Sequence, residues 1–143
     1  MRNILTLFIL IISCLNVYGQ GKLDITGKWK TIDDKTGKPK SIVEIVKLSN
    51  GIYAGRIIKL FKEPTNPNCI KCTGILKNKP LIGLEIIKDI RQNGNEFGDG
   101  KITDPETGKS YNCIIARKGN QLEVRGYVGI VALGRTQRWH LLD

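Results

Sequence analysis

The chain has one histidine, His140, and neither a G-x-S-x-G nor a G-x-x-x-x-G-K-[ST] stretch. A Ser–His–acid arrangement would therefore rest on a residue that alternates onto the strand face opposite Trp139. The backbone cradle for a nucleotide phosphate is missing as well. There is no D-x-D-x-D-G loop, so Asp33, Asp34 and Asp99 read as turn residues and not as calcium ligands. Aromatic residues are scarce (three Phe, two Trp, four Tyr), which leaves few stacking platforms for single-stranded nucleic acid. Acidic residues are also in short supply, 13 Asp+Glu against 23 Lys+Arg, a net charge of +10. No run of five like charges occurs, so the excess reads as a scattered basic surface and not as a nucleic-acid stripe. Without a nucleophile, a general base or a metal set, the expectation is a non-enzymatic protein with no cofactor and no metal.

Long apolar runs are absent too. The longest, Ile4 to Ile12, has nine residues, well short of the roughly 20 needed to span a bilayer. Preceded by Arg2 and followed by Val17-Tyr18-Gly19, it reads as a secretory signal peptide over residues 1–19, cleaved before Gln20. The expected localisation is periplasmic or secreted. A competing reading takes Ile11-Ile12-Ser13-Cys14 as a lipobox, with Cys14 acylated and the protein tethered to a membrane. Residues 20–143 are then one domain, too short for two ordinary ones, and expected to be a monomer or weak dimer.

What the chain does have is β-strand patterning. Val124 to Trp139 (VRGYVGIVALGRTQRW) combines β-branched and aromatic residues with three glycines, each costing a helix interior about 1 kcal/mol against alanine. It reads as two strands joined at a bend, with Arg135, Gln137 and Trp139 on one face. With those two included, strands are read at Gly27–Ile32, Ser41–Leu48, Ile52–Phe61, Leu81–Ile90, Glu96–Thr103, Ser110–Lys118, Gln121–Tyr127 and Gly134–Leu142, with Asn50-Gly51 as a hairpin turn. On the second strand Ile42, Glu44, Val46 and Leu48 share a face, expected to be interior. On the third, Arg56 shares the more apolar face with Ala54, Ile58 and Leu60. Ile82, Leu84, Ile86 and Ile90 are in phase on the fourth. About eight antiparallel strands with short turns predict a closed barrel, which has no free edges.

Lys62 to Pro80 is a long irregular segment holding Cys69-Ile70-Lys71-Cys72. In an exported chain a disulfide is the first reading, within the pair or from one member to Cys113, leaving one thiol over. A redox motif would need a helix N-terminus at the first cysteine, and the surrounding prolines and glycine offer none.

Several motifs taken together resemble a known family. They are Gly27-Lys28-Trp29, the SIVEI of Ser41 to Ile45, the G-x-x-x-G-R-I of Gly51 to Ile57 and the C-x-x-C-x-G of Cys69 to Gly74. Ile82-Gly83-Leu84, the D-P-x-x-G-K-x-Y of Asp104 to Tyr111, and VRGY followed by GRTQ-x-W complete the set. The pattern is similar to the small exported bacterial proteins grouped as domain-of-unknown-function family 2147. That resemblance implies a lipocalin-like (calycin-type) β-barrel and no established activity. Trp29, Arg56, Cys69, Cys72, Arg125, Tyr127, Arg135, Gln137 and Trp139 fall on its motifs. From the residues themselves we expect an arginine of the last strand to lie across Trp29. We also expect Trp29, Glu44, Arg56, Arg125, Tyr127, Arg135, Gln137 and Trp139 to form a binding site. Surplus arginine inside the barrel would take a small lipidic or anionic amphiphile. The alternative is a filled barrel that contacts an envelope partner through its loops and basic surface.

Overall fold

The computed structural model describes residues 24–142; the expected signal peptide and Cys14 lie outside the described residues. Eight strands follow one another around a closed antiparallel barrel: β1 (Gly27–Ile32), β2 (Pro39–Lys47), β3 (Tyr53–Leu60), β4 (Glu85–Asn93), β5 (Glu96–Thr103), β6 (Ser110–Lys118), β7 (Gln121–Tyr127) and β8 (Arg135–Leu141). The expected all-β barrel is what forms. Each strand pairs with the next, and β1 closes on β8 through Trp29↔Leu141 and Lys30↔His140. Two short 3-10 turns, Gly74–Leu76 and Val131–Leu133, are the helical elements among the described residues.

The up-and-down order gives the barrel two unlike ends. One, here the loop end, carries the β1–β2 turn, the 24 residues between β3 and β4 (61–84), the β5–β6 turn and the β7–β8 loop. The other, the lower end, carries the tight β2–β3, β4–β5 and β6–β7 turns together with Asp24–Thr26 and Leu142.

Alternation sends Trp29, Val43, Ile45, Tyr53, Ile57, Ile87, Phe97, Cys113, Ile115, Leu122, Val124 and Trp139 into one buried core. Tyr53 and Phe97 meet edge-on there, with ring centroids 5.2 Å apart. Space is short on the inner wall. A methyl group added at Gly55 would sit 3.1 Å from Ile87 Cβ and 3.3 Å from Val43 Cγ1, closer than packed carbons normally approach.

Two strand phases differ from the sequence reading. On β2 the inward residues are Ser41, Val43 and Ile45, so Glu44 faces out and Val46 and Leu48 are exposed. The stretch SIVEIVKL is apolar in both phases, and pairing of Trp29 with Val43 selects the second. β4 starts at Glu85, not Leu81. Gly83, at φ +89°, turns the chain there, leaving Ile82 exposed while Leu84 is buried. Asp89, at φ +59°, then re-phases the strand so that Ile87 and Ile90 both point inward.

Candidate functional site

The lower end is sealed. Ile25 and Trp29 are completely buried, and the indole Nε1 of Trp29 donates to the Ile25 carbonyl at 2.8 Å. The arginine over that indole is Arg117, whose guanidinium lies 5.4 Å from the ring centroid. It donates from NH1 to the Asp24 carbonyl (2.6 Å) and from Nε to the Gly119 carbonyl (2.9 Å). The expectation of an arginine from the last strand is therefore corrected: the partner comes from β6. Arg117 is in phase with the inward-facing Cys113 and Ile115, a period-two signal present in the sequence just before the Gly119-Asn120 turn. Desolvation works against the Asp24 carboxylate, but bonds from the Thr26 amide and hydroxyl outweigh it, helped by Lys47 and Arg117, so its pKa is lowered. Gly27, at φ +132°, makes the bend between this plug and β1, a conformation that side-chain-bearing residues avoid.

The other expected arginines do not converge inside. Arg56 and Glu44 form an ion pair at 2.9 Å on the outer face of β2 and β3. Their expected interior position fails because Val43 and Ile57 occupy the inward phase. Arg125 alternates with the buried Val124 and faces outward. There it donates to the carbonyls of Val131 (2.9 Å) and Ala132 (3.2 Å) and to Thr136 Oγ1 (2.8 Å). Tyr127 shares the outward phase of Arg125.

The expected shared face of Arg135, Gln137 and Trp139 is present on β8, graded from solvent to core. Arg135 is 70% exposed and ion-paired to Asp34 of the β1–β2 turn. Gln137 donates to the same Asp34 oxygen (2.8 Å) and accepts from the buried Trp139 indole (3.2 Å). One carboxylate, 101 residues from Arg135, thus satisfies both the cation and the amide. That leaves no uncompensated positive charge along this face. In the sequence Asp34 reads only as a turn residue, and its role follows from closure of β1 against β8.

The 61–84 segment folds back over the loop end. Cys69 and Cys72 form a disulfide, both buried and part of the core, while Cys113 stays free on the inner face of β6. Of the pairings open from sequence, the short one is realised. Burial pushes the Cys113 thiol up to about 12, so it is neutral and a poor nucleophile at pH 7. Gly108, at φ +72°, brings the β5–β6 turn against the Lys71 carbonyl so closely that any Cβ would collide. Cys69 Sγ lies 3.5 Å from the Pro105 carbonyl, and Lys40 of β2 pairs with Glu106 at 3.2 Å.

An open groove of about 450 Å³ runs outside the wall between β3 and this segment, lined by Ile58, Lys59, Leu60, Lys62, Glu63, Pro64, Pro67, Leu81 and Ile82. Trp139 is not among its walls. The sequence reading missed a second feature of this end. Among the described residues eleven large hydrophobic side chains are exposed, and eight belong to the loop end: Phe61, Ile70, Ile75, Ile82, Val128, Ile130, Val131 and Leu133. The string Val128-Gly129-Ile130-Val131-Ala132-Leu133 was visible as an uncharged bend, but nothing in its pattern said that it would stay in water.

No curated protein matches the chain in sequence. Among solved structures it is similar to protein HP1028 from the human pathogen Helicobacter pylori, which is described as belonging to the lipocalin family. The TM-score is 0.73 at 22% identity, covering 85% of this chain and 84% of that one. The likeness establishes a lipocalin-like fold, the closed eight-strand barrel described above. Residues 27–141, the whole barrel from Gly27 to Leu141, match the family described as "Uncharacterized protein conserved in bacteria (DUF2147)", and the chain belongs to that family.

Proposed function

We propose that this is an exported, non-enzymatic binding protein that works through the loop end of a filled barrel. The observation that carries this reading is the contrast between interior and rim. Trp29, Phe97, Ile115 and Leu122 are completely buried and a methyl group at Gly55 would press on Ile87 and Val43, while eight large apolar side chains stand exposed at one end. Exposed apolar side chains gathered in that number at one end mark it as the surface that meets something. The arginines support the same reading, since Arg56, Arg117, Arg125 and Arg135 all have partners within the protein. Native mass spectrometry of the protein from its own cells tests it. A chain beginning at Gln20 and free of stoichiometric small molecule is expected. A retained Met1 would remove export, and a bound small molecule would remove the filled barrel.

One observation favours a second reading, a small lipidic or anionic amphiphile. The 450 Å³ groove has apolar walls from Ile58, Leu60 and Pro64, with Lys59 and Lys62 available to an anionic head. In the version centred on β8, Arg135 would hold that head after Asp34 swings away. Arg135→Met should then abolish binding of an anionic detergent-like probe while sparing the fold. Unchanged binding would assign the arginine to the Asp34 contact alone.

A further inference from the structure

We infer that the β7–β8 loop is a membrane-insertion tip, and that the loop end docks on an anionic lipid bilayer; this rests on the loop-end reading above and names its partner. Val128 to Gly134 carries no charged residue. Val128, Ile130 and Leu133 are 69%, 61% and 78% exposed. Exposed aliphatic side chains on a slack loop would fold back onto the barrel. These are held out by a braced backbone.

The Ile130 carbonyl accepts from the Leu133 amide at 3.2 Å. The Val131 carbonyl accepts from both the Gly134 amide (3.0 Å) and Arg125 Nε (2.9 Å). The Ala132 carbonyl takes the second Arg125 bond at 3.2 Å. Three successive carbonyls are therefore bonded within the protein before any partner arrives. An unbonded carbonyl is what makes irregular backbone costly to move into lipid. With these three carbonyls bonded, part of that cost is met in advance, and the tip can enter the interfacial region with its apolar side chains leading.

Side-chain chemistry selects lipid over protein. Protein interfaces enrich aromatic and arginine anchors within a polar rim and bury about 800 Å² on each partner. This tip offers only aliphatic groups on six residues. Charge selects the kind of lipid. The four connections at this end carry seven lysines, four of them (Lys62, Lys71, Lys77 and Lys79) in the 61–84 segment, against Asp33, Asp34, Glu63, Asp104 and Glu106, on a protein of net charge +10. Lysines at the same end as an inserted apolar group draw a protein to anionic headgroups in a salt-dependent way.

The test is flotation of the full-length product, in its processed form, with vesicles of phosphatidylglycerol mixed with phosphatidylethanolamine, and with pure phosphatidylcholine vesicles as the neutral comparison. Binding to the anionic vesicles, weakened by salt and at least tenfold weaker to neutral ones, is expected. The Ile130→Asp/Leu133→Asp double variant should lose at least tenfold in bound fraction with an unchanged thermal unfolding midpoint. Comparing two chains with the same amino-terminal segment cancels any contribution from that segment. Lys71→Glu/Lys77→Glu should remove most of the salt dependence. Absence of wild-type binding, or equal binding by the double variant, overturns the proposal. So does a dimer that the double variant dissociates, which would make the tip a self-association surface and leave the loop-end reading standing.

Discussion

At the lower end of the barrel Ile25 and Trp29 are fully buried under Arg117, and the chain crosses beneath them as a plug; at the loop end Ile75 and Leu133 are 79% and 78% exposed. Both ends use an arginine bonded to backbone carbonyls. Arg117 bonds Asp24 and Gly119 and so draws an apolar ring inward, whereas Arg125 bonds Val131 and Ala132 and so fixes a loop whose apolar groups point outward. The same guanidinium chemistry closes a core in one place and displays a surface in the other. What differs is the strand phase: Arg117 lies on the inward face of β6 and Arg125 on the outward face of β7.

Substitutions should separate the two ends, and the largest effect belongs below. Trp29→Ala removes a fully buried ring and should cost about 3–5 kcal/mol in urea unfolding. Ile75→Ser at the loop end should leave the same midpoint within about 0.5 kcal/mol, and a comparable loss there would erase the distinction. Next comes the disulfide. Replacing Cys69 and Cys72 together by serine should cost about 2 kcal/mol by chain entropy, plus the burial of two hydroxyls. In the unsubstituted protein Cys113 should resist iodoacetamide at pH 7 until denaturant is added, since burial keeps its thiol neutral. Arg117→Met should cost about 1–2 kcal/mol through lost cation–π and carbonyl contacts. Arg135→Met, whose ion pair is exposed, should cost under about 1 kcal/mol. The smallest effect is pH-dependent. Asp24 has a lowered folded-state pKa, so its contribution is present above the ordinary carboxylate pKa and disappears as pH falls through the folded value. Asp24→Asn should flatten the acid limb of the stability curve slightly; an unaltered acid limb would show that the Thr26 bonds matter only for geometry.

The strand order, the closure of the first strand on the last and the inward placement of Trp29 and Trp139 were all legible, because turn residues and period-two patterning state them locally. The phase of β2 was not, since Ile42-Val43-Glu44-Ile45-Val46 is apolar on both faces and only the register against Trp29 decides. Barrel closure makes the first and last strands neighbours, which points to a β8 arginine over Trp29. The β6–β7 turn instead brings Arg117 beneath the barrel. The Asp34 contact to Arg135 and Gln137 joins residues more than 100 positions apart, and no local pattern encodes it. Exposure of Val128 to Leu133 is not legible for a related reason: hydrophobicity argues for burial, and only the tertiary brace from Arg125 shows where those groups end up.

The pairing of Trp29 with Leu141 also bears on how the molecule assembles. Every other ladder joins strands adjacent in sequence, and all of these but β3–β4, with its 24-residue connection, can zip as hairpins within microseconds. The β1–β8 seam must bring together residues 112 positions apart, and loop-closure entropy opposes it until the sheet between them has curved. Until then the nascent protein is an open seven-ladder sheet with two unpaired edges, and β8 acts as its latch. A chain released without its final strand would keep both edges bare, and aggregation, not partial activity, is what such a truncation should produce.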